Sequence, residues 1–219
     1  MTSKLYYVHD PMCSWCWGFY PQWQALKSAL DERFSDGLVI ENLVGGLAKD
    51  TDEPMPLAMQ EVIQGYWRDV QSQLQTEFNF DFWTSNTPRR ATFDACRATI
   101  AITFQCEDTA TQISAQNSMI EAIQRGYYLR AMNPSEMDVL SQLAQELGFD
   151  RQQFEADMKS ERLNSEFDRQ LKLARALPID GFPSLVLKVR ERHYKIPRDY
   201  HGHQSMLSAI ENTLLLNPR

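Results

Sequence analysis

The segment DPMCSWCWGF, at residues 10–19, constrains the fold of this chain more than any other feature of the sequence. It places Cys13 and Cys16 three positions apart, directly after the run KLYYVH. The aromatic and β-branched residues of that run predict a strand, which the turn former Pro11 ends. Beyond the turn, apolar side chains recur at spacings of three and four, which predicts a helix over residues 13–33. The cysteine pair is therefore expected where a strand passes into a helix.

This position has chemical consequences for both thiols. A helix N-terminus carries free backbone N–H groups and the positive end of the helix dipole. We expect the N–H groups of Trp15 and Cys16 to stabilise a thiolate at Cys13 and to lower its pKa. Cys16, one turn further along, is placed to attack a mixed disulfide formed at Cys13. The pattern predicts that Cys13 is the nucleophile, that Cys16 is the resolving thiol, and that the pair cycles between dithiol and disulfide.

The same Cys-x-x-Cys pattern is also half of a zinc site, which needs two further ligands, usually a second close pair. Cys96 and Cys106 are ten positions apart on one predicted helix, so they would lie ~15 Å apart along its axis. We interpret them as small apolar core residues without a function of their own. His201 and His203 have no cysteine nearby and are expected to fix a loop or to cap the last helix. A non-catalytic, zinc-stabilised binding module stays open as an alternative.

The rest of the chain divides into a short α/β part and a long helical part. DGLVIENLVGGL predicts a second strand, joined to the first by a parallel βαβ connection. From Pro56 to about Arg175 the pattern predicts five or six helices. SLVLKV and RHYKI then predict a hairpin, and HQSMLSAIENTLLL predicts a final amphipathic helix. This order predicts an α/β fold, βαβ…ββα, in which residues 1–50 and 176–219 form one discontinuous domain and residues 51–175 a helical insertion.

Composition excludes several classes of partner. The 219 residues carry a net charge of −7, and the basic residues are scattered rather than clustered, which argues against nucleic acid and anionic membranes as partners. No apolar run approaches the ~20 residues of a membrane-spanning helix. The first residues lack the continuous apolar stretch of a secretory signal, so we expect a cytoplasmic protein. In that reducing compartment a close cysteine pair is typical of catalysis or metal binding.

The order of these motifs resembles a known fold. A strand, CSWC at a helix start, a helical insertion and GFPSLVL before a hairpin are similar to the thioredoxin fold with the insertion of DsbA. HDPMCSWCWGF together with TPRRATFDACRA resembles the FrnE-like branch of cytoplasmic dithiol-disulfide isomerases, which is related to kappa-class glutathione transferases and 2-hydroxychromene-2-carboxylate isomerases. The resemblance covers nearly the whole chain.

The resemblance implies a thiol-disulfide oxidoreductase or isomerase whose electrons reside in the Cys13–Cys16 pair, without a metal or organic cofactor. The substrates would be protein or small-molecule thiols and disulfides. Glutathione or a thioredoxin-like protein would be the reductant, and glutathione is also a possible co-substrate.

The resemblance also assigns roles to single residues. Pro183 matches a cis-proline that faces the cysteine pair, and its alternative is an ordinary proline at a strand start. The backbone N–H and C=O of Phe182 would then pair with an extended substrate. DsbA has a histidine between its cysteines, where this chain has Ser14 and Trp15. We therefore expect Ser14 to offer a hydrogen bond, Trp15 to face the substrate, and the protein to be a weaker oxidant than DsbA. Phe182 is bulkier than the residue usual before this proline and is expected to narrow the substrate groove.

The transferase and isomerase relatives hold the glutathione thiolate with a serine near the position of Cys13. A cysteine there can form a mixed disulfide, which favours redox chemistry. A glutathione-dependent transferase or isomerase remains the first alternative; it predicts turnover that survives Cys16→Ser.

Further residues near the motifs receive interpretations of less consequence. His9 or Asp10 could accept a proton from Cys16, although Asp10 also fits a simple turn before proline. TPRR predicts a helix start capped by Thr87, with Arg89 and Arg90 either in a solvated first turn or facing an anionic substrate such as a glutathione carboxylate. Trp17 is expected to be buried. The YYLR segment, residues 127–130, is expected to pack the helical part against the sheet.

Overall fold

The computed structural model describes residues 3–34 and 37–217. Within them lies a four-stranded sheet with the order β2-β1-β3-β4. Its strands are β1 (Ser3–His9), β2 (Leu38–Val44), β3 (Ser184–Val189) and β4 (Arg192–Ile196). β1 is parallel to β2 and antiparallel to β3, and β3 is antiparallel to β4. The predicted order βαβ, helices, ββα is confirmed.

Helices surround this sheet and occupy most of the chain between β2 and β3. They are α1 (Ser14–Phe34), α2 (Leu57–Leu74), α3 (Phe82–Ser85), α4 (Phe93–Ala101), α5 (Thr109–Leu129), α6 (Met137–Glu146), α7 (Arg151–Asp157), α8 (Glu161–Ala176) and α9 (Gln204–Leu216), with a 3-10 turn at Ile102–Gln105. The five or six helices expected before β3 are seven in the described residues, since α3 is a single short turn without apolar periodicity. No helix in the described ranges is long and apolar enough to cross a membrane.

The central strand β1 is buried on both faces, and its alternation directs side chains to two different cores. Leu5 and Tyr7 face a core built with α1 and α9. Tyr6 and Val8 face the opposite side, where α8 covers the sheet. The helical part has its own core around the fully buried Trp67. The proposed boundaries at residues 50/51 and 175/176 stay a prediction, and the outermost residues of the first and last segments lie outside the described residues.

The helical part reaches the cysteine segment through stacked aromatic rings. Tyr128 of α5 stacks on Trp17 of α1 with ring centroids 5.8 Å apart and an interplanar angle of 11°. Met12, directly before the first cysteine, belongs to the same core. The YYLR segment therefore packs the helical part against α1, whereas the sequence suggested the sheet as its partner.

The helix start predicted at Thr87 is wrong. α4 begins at Phe93, six residues later. The intervening segment is extended because Arg89 forms a β-bridge with Pro54, and the carbonyl of Pro88 accepts the N–H of Met55 at 2.7 Å. Pairing with a distant segment overrides the local helix signal here. Arg89 is bound to Glu136, to Asp52 and to the carbonyl of Ser135. It is neither solvated nor free to face a substrate, while Arg90 is half-buried.

Candidate active site

Cys13 is the residue directly before α1, one position earlier than a first-turn residue. Its carbonyl accepts the N–H of Trp17 at 3.1 Å, and its own N–H donates to the carbonyl of Asp10 at 3.0 Å. These two bonds hold the turn that carries β1 into the helix. Both Cys13 and Cys16 are free thiols in this structure. Cys13 is 8% exposed and Cys16 is fully buried, so only Cys13 meets a substrate from solvent.

The two thiols have opposite acidities. A hydrogen bond from the Cys16 side chain is the main cause that lowers the pKa of Cys13, and the backbone N–H groups of Cys16 and Trp15 add to it against the cost of burial. The pKa of Cys16 is raised well above its usual value, first by burial and then by the hydrogen bond and charge of Cys13. Cys13 therefore ionises first, with Cys16 as its donor. The helix N–H groups act as the sequence predicted, but the leading contribution of Cys16 was not foreseen.

The loop before β3 faces Cys13. The peptide bond between Phe182 and Pro183 is cis, as the resemblance implies, so the alternative of an ordinary strand-start proline is wrong. The sulfur of Cys13 lies 3.7 Å from the carbonyl oxygen of Phe182, to which the protonated thiol donates. The next carbonyl, that of Pro183, accepts a hydrogen bond of 2.6 Å from the guanidinium of Arg198. Both carbonyls of this loop are therefore held in defined positions beside the pair.

The bulk of Phe182 is accommodated by a glycine from the end of β2. A Cβ on Gly45 would come within 2.1 Å of two atoms of the Phe182 ring. The ring packs against the core that Val8 and Leu43 share with α8. The sequence contained no local signal for this pairing, because Gly45 looked only like the end of a strand.

The aromatic and polar neighbours of the pair differ in exposure. Trp17 is buried as predicted, and its indole N–H donates to the carbonyl of Glu77 at 3.1 Å. Trp15 is half-buried rather than exposed, because its ring packs edge-on against Tyr200 at 5.4 Å. Ser14 is buried, although it was expected to offer a hydrogen bond to a substrate.

Asp10 is a fully buried carboxylate with four hydrogen-bond donors. Oδ1 accepts the N–H of Met12 at 2.8 Å, and Oδ2 accepts the N–H of Leu47 at 2.7 Å, the hydroxyl of Thr92 at 2.7 Å and the thiol of Cys96 at 3.4 Å. Burial raises the pKa of Asp10 while these bonds oppose the rise. Asp10 is thus more than a turn former, since it joins the cysteine turn to the segment after β2 and to α4.

Cys96, His9 and His201 are also interpreted from the sequence, and the structure shows their surroundings. Cys96 is buried as expected, but its thiol binds Asp10, so it belongs to the framework of the site. His9 is fully buried without a hydrogen bond to either ring nitrogen, and burial lowers its pKa to about 3, which makes it a poor proton acceptor. The loop before α9 is fixed by Asp199, whose carboxylate accepts the N–H of His201 and the hydroxyl of Ser205, rather than by a histidine ring.

For the alternative of a zinc site, the described residues provide no further ligands near the Cys13–Cys16 pair. In the ranges that the structure describes, no three His, Cys, Asp or Glu side chains gather where they could hold a metal ion.

Sequence reasoning missed Tyr7 altogether. Tyr7 is buried on the face of β1 that packs against α1, where burial first and then the charges of Cys16 and Cys13 raise its pKa well above the usual value. The alternation of β1 identifies this face, but no motif distinguishes Tyr7 from the neighbouring Tyr6.

Comparison with known proteins agrees with this geometry. The Thioredoxin_5 family model, described as thioredoxin, matches residues 6–201. No curated protein sequence matches significantly. A candidate protein disulfide isomerase from Nitrosomonas europaea is 23% identical, with a TM-score of 0.80 and full coverage of both chains. The cytosolic disulfide reductase DsbM from Pseudomonas aeruginosa is 22% identical, with a TM-score of 0.75 over 97% of this chain and 99% of that chain.

A more distant structure, a 2-hydroxychromene-2-carboxylate isomerase, is 13% identical with a TM-score of 0.56 over 97% of this chain and 95% of that chain. The solved structures share the fold, and the family model spans most of the sequence. The chain therefore belongs to the Thioredoxin_5 family and is a DsbA-like protein of the thioredoxin fold.

Proposed function

We propose that the protein is a thiol-disulfide oxidoreductase in which Cys13 and Cys16 are the redox pair. The observation that carries the proposal is the contrast between the two adjacent thiols: the pKa of Cys13 is lowered and Cys13 is 8% exposed, whereas the pKa of Cys16 is raised and Cys16 is fully buried. A nucleophile and a resolving thiol need this difference, because only the thiolate attacks a disulfide.

In the first step, the Cys13 thiolate attacks a substrate disulfide. A bond forms between Cys13 and one substrate sulfur, the substrate S–S bond breaks, and the other sulfur leaves as a thiolate. The backbone of Phe182, whose carbonyl is 3.7 Å from the Cys13 sulfur, can pair with an extended substrate beside the new bond. Trp15 offers the half-buried aromatic surface next to it.

In the second step, Cys16 resolves the mixed disulfide. Once Cys13 is bonded to substrate it carries no charge, so the hydrogen bond and the charge that raise the pKa of Cys16 are lost. Cys16 then ionises more readily and attacks Cys13, and the second substrate thiolate leaves. Two electrons pass from the pair to the substrate, and the protein ends with a Cys13–Cys16 disulfide. Attack by a reducing thiol returns it to the dithiol.

The related structures support a reducing role with glutathione. DsbM is described as a cytosolic disulfide reductase and is known in a structure with GSH. We propose glutathione or a thioredoxin-like protein as reductant, protein or small-molecule disulfides as substrates, a cytoplasmic location, and no resident metal or organic cofactor. Isomerisation uses the same two steps when the substrate disulfide re-forms elsewhere.

Tryptophan fluorescence across a series of glutathione redox buffers tests the proposal, because Trp15 and Trp17 flank the pair. We expect a reversible two-electron transition that is absent from Cys13→Ser. Absence of a transition at every ratio of reduced to oxidised glutathione would overturn the proposal.

A glutathione-dependent transferase or isomerase is a second candidate, favoured by the fold shared with 2-hydroxychromene-2-carboxylate isomerase. The variant Cys16→Ser separates the two. Disulfide reduction loses its resolving thiol in this variant. Conjugation or isomerisation should continue, because it needs only the glutathione thiolate held near Cys13.

A further inference from the structure

The loop before β3 carries the carbonyl that faces Cys13, and its neighbours hold this loop from several sides. The hydroxyl of Ser184 donates to the carbonyl of Gly181 at 2.7 Å. The ring of Phe182 occupies space that is free only because residue 45 is a glycine. The carbonyl oxygen of Phe182, 3.7 Å from the Cys13 sulfur, therefore has a defined position relative to the thiol.

Arg198 binds the carbonyl that follows the one facing Cys13. Its guanidinium Nη1 donates to the carbonyl oxygen of Pro183 at 2.6 Å. In the register of β3 and β4, Leu185 pairs with Ile196, so residue 198 lies opposite residue 183. β4 itself ends at Ile196, and the side chain of Arg198 takes the place of the next hydrogen bond of the ladder.

The bond at Pro183 also restrains Phe182, because the two carbonyls are neighbours in the backbone. The pyrrolidine ring fixes φ of a proline, so ψ of Pro183 is the one freely rotating angle between them. A guanidinium is always charged in proteins, and hydrogen bonds from a charged donor are stronger than those between neutral groups. Arg198 therefore limits the movement of the Phe182 carbonyl against the Cys13 sulfur.

The guanidinium is itself held in place by the segment that carries it. Two residues further along, the ring of Tyr200 packs edge-on against Trp15 at 5.4 Å and against Phe19 at 5.5 Å. Nη2 of Arg198 lies 3.4 Å from the carboxylate of Asp180, at the start of the loop, and the arginine side chain is 28% exposed. Arg198 therefore links the loop before β3 to the helix that follows the first cysteine.

We propose that Arg198 is a positioning residue of the active site. By holding the carbonyl of Pro183, it keeps the backbone N–H and C=O of Phe182 aligned for a substrate that has amide groups beside its disulfide. The proposal rests on the proposed function and deepens it, because it names the substrate class: peptide disulfides rather than disulfides without amides. The substrate disulfide is reduced to two thiols and the protein is oxidised to the Cys13–Cys16 disulfide, while Arg198 keeps its proton throughout.

The test compares two uncharged disulfides, so that attraction to the arginine charge plays no part. N,N′-diacetylcystine bis(methylamide) has an amide on both sides of each cysteine, whereas bis(2-hydroxyethyl) disulfide has none. Reduced protein is mixed with each disulfide in excess. Formation of the Cys13–Cys16 disulfide is followed by acid quenching, alkylation of the remaining thiols and mass spectrometry, which gives a second-order rate constant for each substrate.

Arg198→Met keeps the apolar stem of the side chain and removes the guanidinium. We expect the rate constant for the peptide disulfide to fall by about tenfold, because the substrate is then poorly aligned with the thiolate. The rate constant for bis(2-hydroxyethyl) disulfide should stay within about twofold, since it depends on the thiolate rather than on backbone pairing.

The matched control is Lys195→Met on β4. Lys195 pairs with the same Asp180 at 2.5 Å, and its replacement removes the same charge, but its ammonium binds this side chain instead of a backbone carbonyl. Because exposed ion pairs contribute little, both rate constants of the control should stay within about twofold of the wild type.

The two rate constants decide between the outcomes. A larger loss for the peptide disulfide than for bis(2-hydroxyethyl) disulfide in Arg198→Met, absent from Lys195→Met, supports the proposal. Equal effects on the two disulfides, no effect on either, or the same loss in Lys195→Met overturn it while the redox function stands. A wild type that neither disulfide oxidises overturns the proposed function itself.

Should Arg198→Met fold poorly by circular dichroism, Arg198→Lys takes its place. Lysine keeps the charge but lacks the planar fork that binds a carboxylate and a carbonyl at the same time. The rate constant for the peptide disulfide, divided by that for bis(2-hydroxyethyl) disulfide, should fall by about threefold or more. An unchanged ratio overturns the proposal.

Discussion

The close contact between Gly45 and Phe182 predicts a strong energetic coupling between two residues far apart in sequence. A Cβ on Gly45 would lie 2.1 Å from two ring atoms of Phe182, and the three nearest atoms to it all belong to that ring. Carbon atoms prefer a separation of about 3.5 Å, so in Gly45→Ala the ring must move by roughly 1.4 Å. Overpacking of this kind costs about 1–3 kcal/mol of the free energy of unfolding.

The backbone itself contributes no strain to that cost. Gly45 is absent from the residues with positive φ, which among the described glycines are Gly46, Gly148 and Gly181. Alanine therefore fits the backbone of residue 45, and in a Phe182→Ala background Gly45→Ala is expected to be neutral or to stabilise by about 0.4–1 kcal/mol. The effect of Gly45→Ala on the free energy of unfolding should therefore differ between the two backgrounds by about 1–4 kcal/mol, a coupling that a double-mutant cycle measures.

Urea unfolding of the wild type, both single variants and the double variant gives the coupling. Gly65→Ala is the control, because no atom lies within 4 Å of a Cβ at this position in α2, and the change should stabilise by about 0.5–1 kcal/mol in either background. A cost of Gly45→Ala that is the same in the wild-type background and in the Phe182→Ala background would refute the reasoning, since the ring would then not be the obstacle.

Three further predictions concern the site. Cys16→Ala removes the side-chain donor that is the first cause of the lowered pKa of Cys13, so the midpoint of the alkylation rate of Cys13 should move to higher pH; an unmoved midpoint would show that the helix terminus alone is responsible. Thr92→Val removes a buried donor to Asp10 and should lower the free energy of unfolding by about 1–3 kcal/mol in urea, whereas no change would mean that water replaces the hydroxyl. His9 has its pKa lowered from 6.5 to about 3, so the unfolded chain binds a proton that the folded protein does not between these values. The free energy of unfolding that neutral His9 contributes is present above pH 6.5 and is lost, by up to several kcal/mol, as the pH falls toward 3. In His9→Phe the urea midpoint should therefore vary less with pH over this window. An equal slope in the variant and the wild type would contradict the assignment.

Local sequence patterns were enough to predict the secondary structure that surrounds the cysteine pair. The run KLYYVH, the turn at Pro11 and the apolar periodicity after it are all contained within neighbouring residues, and they place Cys13 at a helix start with an error of one residue. The same is true of the strands β2 to β4, whose bounds follow from short β-prone runs between turn residues. Cis-Pro183 came only from the family resemblance, because a proline before a strand is compatible with either isomer.

Contacts between distant segments could not be predicted in this way. The helix start at Thr87 failed because residues 88 and 89 pair with residues 54 and 55, and no periodicity records such a pairing. Asp10 resembled an ordinary turn residue until Thr92 and Cys96, 82 and 86 positions further along, supplied its donors.

The sequence by itself therefore determined the secondary structure around Cys13 and Cys16, the order of the strands along the chain, and the class of chemistry. The tertiary structure alone decided that the Cys16 side chain is the leading cause of the lowered pKa of Cys13, and that the pKa of Cys16 itself is raised. That depends on how deeply Cys16 is buried and on the hydrogen bond between the two thiols. Hydrogen bonds and desolvation act through space, over a few ångströms, between groups that the chain brings together only when it folds.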